Sequence, residues 1–218
     1  MVCWSAGFVG TRFAIGHAPI FLILLWRSLV SGLVLLPFAL SIGPRIRLKD
    51  VLSHAGFAML SMGGYLASFA IAISQGVPTG LVALIADMLP LAVALLSWPL
   101  LGQSLNARQW LGSGIALSGV LVASGASLTL GSLPLWAYGL PVLGTISFAL
   151  GILLQKRSLA SHIPVHQSLC IQCLAAALLF GLFAWNEGRV LPVMNAGFIF
   201  GILWLVFIAT FGAWSLYY

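Results

Sequence analysis

Eight strongly apolar segments, joined by short polar connections, occupy almost the whole chain and constrain its fold more than any other feature. They lie near 1–16, 19–41, 51–74, 79–101, 109–126, 134–155, 166–186 and 196–218. A helix needs about 20 apolar residues to cross the hydrocarbon core of a bilayer, and backbone exposed to lipid must satisfy its own hydrogen bonds. The sequence therefore predicts an all-α membrane protein with about eight transmembrane helices.

The composition excludes a soluble domain. Hydrophobic residues make up 61% of the chain and charged residues 6%, whereas a soluble domain carries about 25% charged residues. The net charge of +6 is spread over connections rather than grouped on one face, which argues against a nucleic-acid partner. No glycine-rich phosphate loop with its lysine is present, so the chain does not encode direct ATP drive.

Basic residues collect in the connections at one end of the predicted bundle. This end, called the basic end below, carries Arg45, Arg47, Lys49, Arg108, Lys156 and Arg157, and the loops of the opposite end contain only Arg189. The positive-inside rule makes the basic end cytoplasmic. We therefore expect an integral protein of a bacterial-type inner membrane, with its N-terminus in the cytoplasm.

A polar pattern, Arg-x4-His-x-Pro, occurs twice at an offset of 145 residues. It reads RFAIGHAP at 12–19 and RSLASHIP at 157–164. Five predicted spans separate the copies, so the two copies run in opposite directions through the membrane. The pattern predicts an inverted-topology repeat, as in many secondary transporters, with five helices in residues 1–126 and three in residues 134–218.

Three stretches resemble the EamA-type permeases of the drug/metabolite transporter superfamily. The most specific is LLGQSLNARQWLGSGIALSGVLVAS at 100–124, which looks like the end of an EamA repeat. WSAGFVGTRFAIGHAP at 4–19 is similar to the first helix of that family, and LIADMLPLAVALLSWPLL at 84–101 to the fourth. The resemblance implies two inverted five-helix repeats that move small metabolites, amino acids or drugs, often outward.

The chain departs from the family pattern in three ways. Gln103 stands where the family usually has Glu, the first helix is short at its start, and the chain stops at Tyr218. At that point the resemblance leaves the ninth and tenth helices missing. We therefore expect a C-terminally truncated permease, or one in which a dimer partner or another chain supplies those helices.

Charged residues inside a membrane span cost roughly 2.5–3.5 kcal/mol each and are candidates for function. Arg27 and Asp87 both lie eight residues from the outer end of their spans, at a depth of about 12 Å. The equal depth predicts an ion pair, which either satisfies the two charges or faces the substrate. Arg12, near the outer end of the first span, either extends to the interface or forms a basic vestibule with Arg27.

Several uncharged residues complete the predicted substrate site. Gln172 occupies the place of Arg27 at the repeat offset, and the aromatic side chains of Trp4, Tyr65 and Trp214 are candidates for lining an apolar cavity. Pro90 and the Gly63–Gly64 pair predict bends in the fourth and third spans. Cys170 and Cys173 form a C-x-x-C pattern in an apolar helix, where thiols are packing residues, so we predict no metal site and no cofactor.

Three functions remain open at this stage. The first is a secondary transporter of a small solute. The second is a membrane-embedded enzyme, which needs a constellation of carboxylates or histidines, whereas the three acids Asp50, Asp87 and Glu187 lie on different segments. The third is a non-transporting remnant or assembly subunit.

Overall fold

The computed structural model describes residues 2–103, 105–125, 133–158 and 163–212. Within these ranges the chain forms eight helical segments and no strand. We number them α1 Val2–Ile15, α2 Ile20–Ser41, α3 Leu48–Ser74, α4 Thr79–Leu101, α5 Ala107–Gly125, α6 Leu135–Arg157, α7 Val165–Asn186 and α8 Ala196–Gly212. Each coincides with one of the eight predicted segments.

Five of these helices are long and apolar enough to cross a bilayer: α2, α3, α4, α6 and α7. α8 is shorter but equally apolar along its described length. Because a helix satisfies its backbone hydrogen bonds within itself, this architecture suits a lipid environment. The predicted fold class, an all-α membrane protein, is confirmed.

Helix ends follow the turn residues of the sequence. Pro19 and Pro164, the last residues of the two polar patterns, directly precede α2 and α7, where proline is tolerated because the first backbone N–H groups have no partner within the helix. Before α5, Asn106 and Gln109 each accept the backbone N–H of the other at 2.9 Å. Gln109, the first residue of the QWLG sequence at 109–112, therefore has a structural role in this reciprocal capping.

Three interruptions break the regular helices, two of them at or near the predicted weak points and one, in α8, at a position that was not predicted. Met59–Gly64 in α3 and Trp204–Gly212 in α8 are π-helical, a rare geometry that is frequent at functional sites. Adding the 145-residue offset to the first segment gives 204–209, which lies inside the second. α4 breaks at Asp87 and Met88, where its second half begins with Pro90 in the first turn. The first of these segments ends at the Gly63–Gly64 pair, and the break in α4 lies beside Pro90.

The helices of the two predicted repeats pack in matching pairs. α2 lies along α7, its equivalent at the repeat offset, and this is the most extensive helix contact among the described residues. α1 packs on α8 as α6 packs on α3. Both of these contacts include the π-helical segment: Trp204 donates its indole N–H to Ala6 O at 3.0 Å, and Ser147 donates its hydroxyl to Leu60 O at 2.9 Å.

Candidate functional site

A cavity with about 860 Å³ of empty space, its open part included, lies between the two predicted halves. Its wall comes from α1, α2 and α3 of the first half and from α6, α7 and α8 of the second. Both π-helical segments contribute to it, through Ser61 on α3 and Thr210 on α8.

Arg27 is the one charged side chain in the cavity wall, within the part of the chain that the structure describes. The guanidinium is half-buried, and its Nη2 donates a long hydrogen bond of 3.4 Å to Thr210 Oγ1. Thr210 in turn donates its hydroxyl to Leu205 O at 3.0 Å. Because an arginine side chain keeps its charge in proteins, the cavity wall carries a positive charge.

Gln172 lies 145 residues after Arg27 and also lines the cavity, but it is held by several partners. Its Nε2 donates to Ser168 Oγ at 3.0 Å and to Gln155 Oε1 at 3.3 Å, and its Oε1 lies 3.3 Å from Ser61 Oγ. Its side chain is 4% exposed. Each of the two equivalent positions therefore makes a hydrogen bond to a π-helical segment of the other half.

The remaining wall combines hydroxyl groups with aromatic rings. Thr11, Ser28, Ser31 and Ser61 are buried hydroxyls of this wall. On the apolar side, the ring of Tyr65 lies 4.5 Å from that of Phe69 and 4.7 Å from that of Phe148, centroid to centroid, and Phe8 stacks on Phe69 at 5.4 Å. The cavity wall thus combines one cation, several neutral hydrogen-bonding groups and a cluster of aromatic rings.

The structure brings together three of the seven residues predicted to bind substrate. Arg27, Tyr65 and Gln172 line the same cavity. Arg12 and Asp87 are exposed and do not contribute to its wall. The side chain of Trp4 and the whole of Trp214 lie outside the described residues.

The predicted ion pair between Arg27 and Asp87 is not formed. Both residues are described, and the hydrogen bond given for Arg27 is to Thr210. Asp87 is the exposed residue at which the first half of α4 ends. Equal depth along two helices gave no information on the direction in which each side chain points, and here the directions differ.

Of the two cysteines in the C-x-x-C pattern, Cys170 packs against α2 and Cys173 lines the cavity. Cys170 and Cys173 are buried free thiols, and Cys170 Sγ lies 3.5 Å from Gly32 O of α2. Among the described residues, no group of three or more His, Cys, Asp or Glu side chains is arranged to hold a metal ion.

Sequence reasoning missed two features of this region. Thr210, the hydrogen-bond partner of Arg27, lies in the last predicted span, where only an aromatic residue was considered as a site candidate. His54 is completely buried on α3 and was not considered, although it is one of only four histidines and lies within a predicted span. The presence of an ionisable residue inside a span was the signal that could have identified it.

Together, the fold and the cavity define a class: a helical membrane protein with a partly polar cavity between its two predicted halves. Residues 1–125, more than half of the chain, match the EamA-like transporter family. The chain belongs to that family, and it is a membrane transporter of the drug/metabolite type.

Similar proteins come from three strains of Escherichia coli: K12, O6:H1 and O157:H7. Each carries the name "Uncharacterized inner membrane transporter YedA" and is 26% identical to this chain over 216 residues. The alignment covers 97% of this chain and 67% of each relative. It extends the similarity beyond residue 125 into the second predicted repeat.

Proposed function

We propose that the protein is a secondary transporter that carries a small anion with an apolar body through the cavity between its two halves. The observation that carries this proposal is Arg27, a permanent cation in the cavity wall with no acidic side chain among the described residues that line it. A charge in a low-dielectric site is stabilised only by an opposite charge or by hydrogen bonds. A solute carboxylate supplies both, because its two oxygens match the planar donor set of a guanidinium.

The rest of the wall supports a monoanionic, apolar solute over a cation or a zwitterion. An ammonium group is repelled by Arg27, and no acidic side chain among the described residues of the wall offsets that repulsion. The cluster of Phe8, Tyr65, Phe69 and Phe148 offers a surface on which a planar apolar group stacks. An aryl-alkyl carboxylate fits this combination of one cation and one aromatic face.

The mechanism that we propose is alternating access between two inverted repeats, residues 1–126 and 134–218. The matching contacts of α1 with α8 and of α6 with α3 support the repeat, as does the recurrence of a π-helical segment at the 145-residue offset. In this scheme the interrupted helices α3, α4 and α8 change shape around a fixed midplane site. We place the basic end in the cytoplasm of a bacterial-type inner membrane, and we infer export from the resemblance to exporting family members.

We also propose that the chain has no enzymatic activity. The cavity wall, as far as the structure describes it, contains neither a carboxylate nor an imidazole. These are the groups that most often transfer protons in catalysis. A wall of one arginine, hydroxyls and aromatic rings is better suited to binding a solute than to transforming it.

Binding of matched probes to the purified protein tests the proposed substrate class. The probes are 3-phenylpropionate, 3-phenylpropanol and 3-phenylpropylamine, which share one ring and chain but differ in charge. We expect the carboxylate to bind best, and Arg27→Gln to weaken its binding at least ~100-fold, since losing one partner of a buried charge pair costs about 3–5 kcal/mol. Calorimetric titration gives the affinities, and uptake of the carboxylate into proteoliposomes checks that binding leads to transport.

Arg12→Gln is the matched control, because it removes an arginine that is exposed and outside the cavity. It should change carboxylate affinity less than ~3-fold, as expected for an exposed charge. Equal binding of all three probes would overturn the proposal, and so would an Arg27→Gln variant that retains the affinity of the native protein.

A further inference from the structure

One face of α2 carries a row of residues that line the cavity. Its members are Leu24, Arg27, Ser28 and Ser31. Their spacing of three and four residues places them on the same side of the helix. Ser31 comes one turn after Arg27, so the Cβ atoms of these two residues are about 5–6 Å apart. The charge of the proposed anion site therefore has a hydroxyl group next to it on the same helix face.

The Ser31 hydroxyl is buried in the wall without a hydrogen-bond partner. The side chain is 1% exposed, and its Oγ has no partner within the described part of the chain. A serine inside a helix can satisfy itself by donating to the backbone carbonyl four residues earlier. That carbonyl here belongs to Arg27, and Ser31 does not bond to it. Because an unsatisfied buried hydroxyl lowers stability, its place in the cavity wall calls for an explanation.

Three other buried hydroxyls of the same wall are satisfied within their own helices. Each donates to a backbone carbonyl oxygen of the preceding turn: Thr11 to Gly7 at 2.8 Å, Ser61 to Phe57 at 2.9 Å, and Thr210 to Leu205 at 3.0 Å. The hydrogens of these three groups are therefore used by the protein. The hydrogen of Ser31 is available to a molecule in the cavity.

The second predicted repeat has an alanine at the position equivalent to Ser31. The 145-residue offset leads to Ala176, which is 0% exposed and belongs to an apolar cluster with Leu24 and Phe180. Helix packing at this position of the repeat therefore does not depend on a hydroxyl group. The hydroxyl is a feature of the repeat that also carries Arg27.

We propose that Ser31 binds the same solute as Arg27, through a hydroxyl group that the solute carries near its carboxylate. This inference rests on the proposed function and narrows its substrate class to hydroxy acids with an apolar body. Arg27 supplies the charge for the carboxylate. Ser31 forms a hydrogen bond with the solute hydroxyl, since either of the two hydroxyl groups can donate to the other.

The distribution of polar and aromatic groups over the helices indicates where on the solute this hydroxyl lies. Arg27 and Ser31 are neighbours on α2, whereas the aromatic rings of the wall come from α1, α3 and α6. A solute that places its ring on the aromatic cluster and its carboxylate at Arg27 has the chain between them next to α2. The hydroxyl that reaches Ser31 is therefore on this chain, close to the carboxylate, and not on the ring.

Matched acids test this assignment in the purified protein. The probes are 3-phenylpropionate, its 2-hydroxy and 3-hydroxy derivatives, and 3-(4-hydroxyphenyl)propionate, which carries its hydroxyl on the ring. We expect at least one of the two chain-hydroxylated acids to bind about 3- to 10-fold more tightly than 3-phenylpropionate, the gain typical of one neutral hydrogen bond. The ring-hydroxylated acid should show no such gain. Calorimetric titration measures the four affinities.

Variants of two buried serines assign the preference to one hydroxyl. Ser31→Ala should remove the preference for the chain-hydroxylated acid. Ser97→Ala is the matched control, because Ser97 is also buried but lies on α4, outside the cavity wall, and donates to Val93 O at 2.6 Å. It should leave the preference unchanged. If Ser31→Ala cannot be purified, Ser31→Cys replaces it, and it should lose most of the preference because a thiol is a weak donor.

Melting temperatures without solute distinguish a binding role of Ser31 from a structural one. Ser31→Ala removes an unsatisfied hydroxyl and Ser97→Ala a hydrogen-bonded one, while both variants gain the same helix propensity from alanine. Ser31→Ala should therefore melt at a higher temperature than Ser97→Ala. A Ser31→Ala variant that melts no higher than Ser97→Ala would show that the hydroxyl stabilises the fold, which would overturn its assignment to the solute.

The two proposals fail in different ways. If 3-phenylpropionate binds no better than its neutral and cationic analogues, or if Arg27→Gln keeps the native affinity, the proposed anion site is wrong and the role of Ser31 falls with it. If binding of 3-phenylpropionate requires Arg27 but the chain-hydroxylated acids gain nothing over it, or keep their gain in Ser31→Ala, the role of Ser31 alone is overturned. A preference for the ring-hydroxylated acid that Ser31→Ala removes would overturn the assignment to hydroxy acids.

Discussion

Arg27 and Gln172 occupy equivalent positions in the two predicted repeats, yet their surroundings differ. Both line the cavity, and each makes a hydrogen bond to a π-helical segment of the opposite half. Arg27 has one long bond, to Thr210. Gln172 is joined to Ser168, Gln155 and Ser61. The same backbone position thus holds an available charge in one repeat and the centre of a buried network in the other.

The difference shows how an internal repeat can divide two tasks. A site that binds an anion needs a cation with free donors, and such a cation is costly when no solute is present. A network that links helices instead needs side chains without free donors, because every polar atom in it must be hydrogen-bonded. We infer that the first repeat provides the binding charge and that the second provides the structural link. The predictions below test this division.

The largest effect on stability should come from giving the second repeat the residue of the first. Gln172→Arg places a second unpaired cation in the cavity wall and removes several hydrogen bonds, so we expect a loss of about 3–5 kcal/mol or failure to fold. Gln172→Met has a similar size without a charge and should cost about 1–3 kcal/mol through the unsatisfied partners alone. Melting in detergent measures both variants. Equal stability of Gln172→Arg and the native protein would show that the two positions are equally tolerant.

The reverse exchange should change stability much less. Arg27→Gln removes a buried charge that lacks an acidic partner, so stability without solute should stay within about 1 kcal/mol of the native value or rise.

Asp87→Asn should cause no loss either, because Asp87 is exposed and does not pair with Arg27. If both single variants lost about 3–5 kcal/mol and the double variant recovered it, the two residues would be paired after all.

The helical layout was predictable because the bilayer imposes a simple rule on sequence. Segments of about 20 apolar residues mark the spans, and the eight predicted segments coincide with the eight described helices. Residue type also marked the Gly63–Gly64 pair and Pro90, and interruptions of α3 and α4 lie at or beside them. The paired packing of α1 with α8 and of α6 with α3 is what a repeat with an offset of 145 residues leads one to expect.

The candidate site was only partly predictable, because depth in the membrane is readable from sequence but the direction of a side chain is not. Arg27 and Asp87 have equal depth, and only Arg27 faces the cavity. Gln172 was identified through the 145-residue repeat offset. Positions related by such a repeat share the direction of their side chains as well as their depth. The contact between His54 and Ser168 could be seen only in the structure, because the two residues are 114 apart in sequence.

The last prediction concerns the close contacts that each repeat makes with the π-helical segment of the other. A Cβ added at Gly151 on α6 would lie 3.0 Å from both Cβ and backbone N of Ser61, whereas one added at Gly7 on α1 would lie 3.0 Å from Ala209 Cβ. Backbone atoms of a packed helix move less easily than a methyl group, so Gly151→Ala should cost about 1–3 kcal/mol and Gly7→Ala less. Gly112→Ala on α5, which meets nothing within 4 Å, is the control and should gain up to about 1 kcal/mol from helix propensity. Melting temperatures of the three variants rank these costs, and a Gly151→Ala variant as stable as Gly112→Ala would show that α6 does not pack this closely on α3.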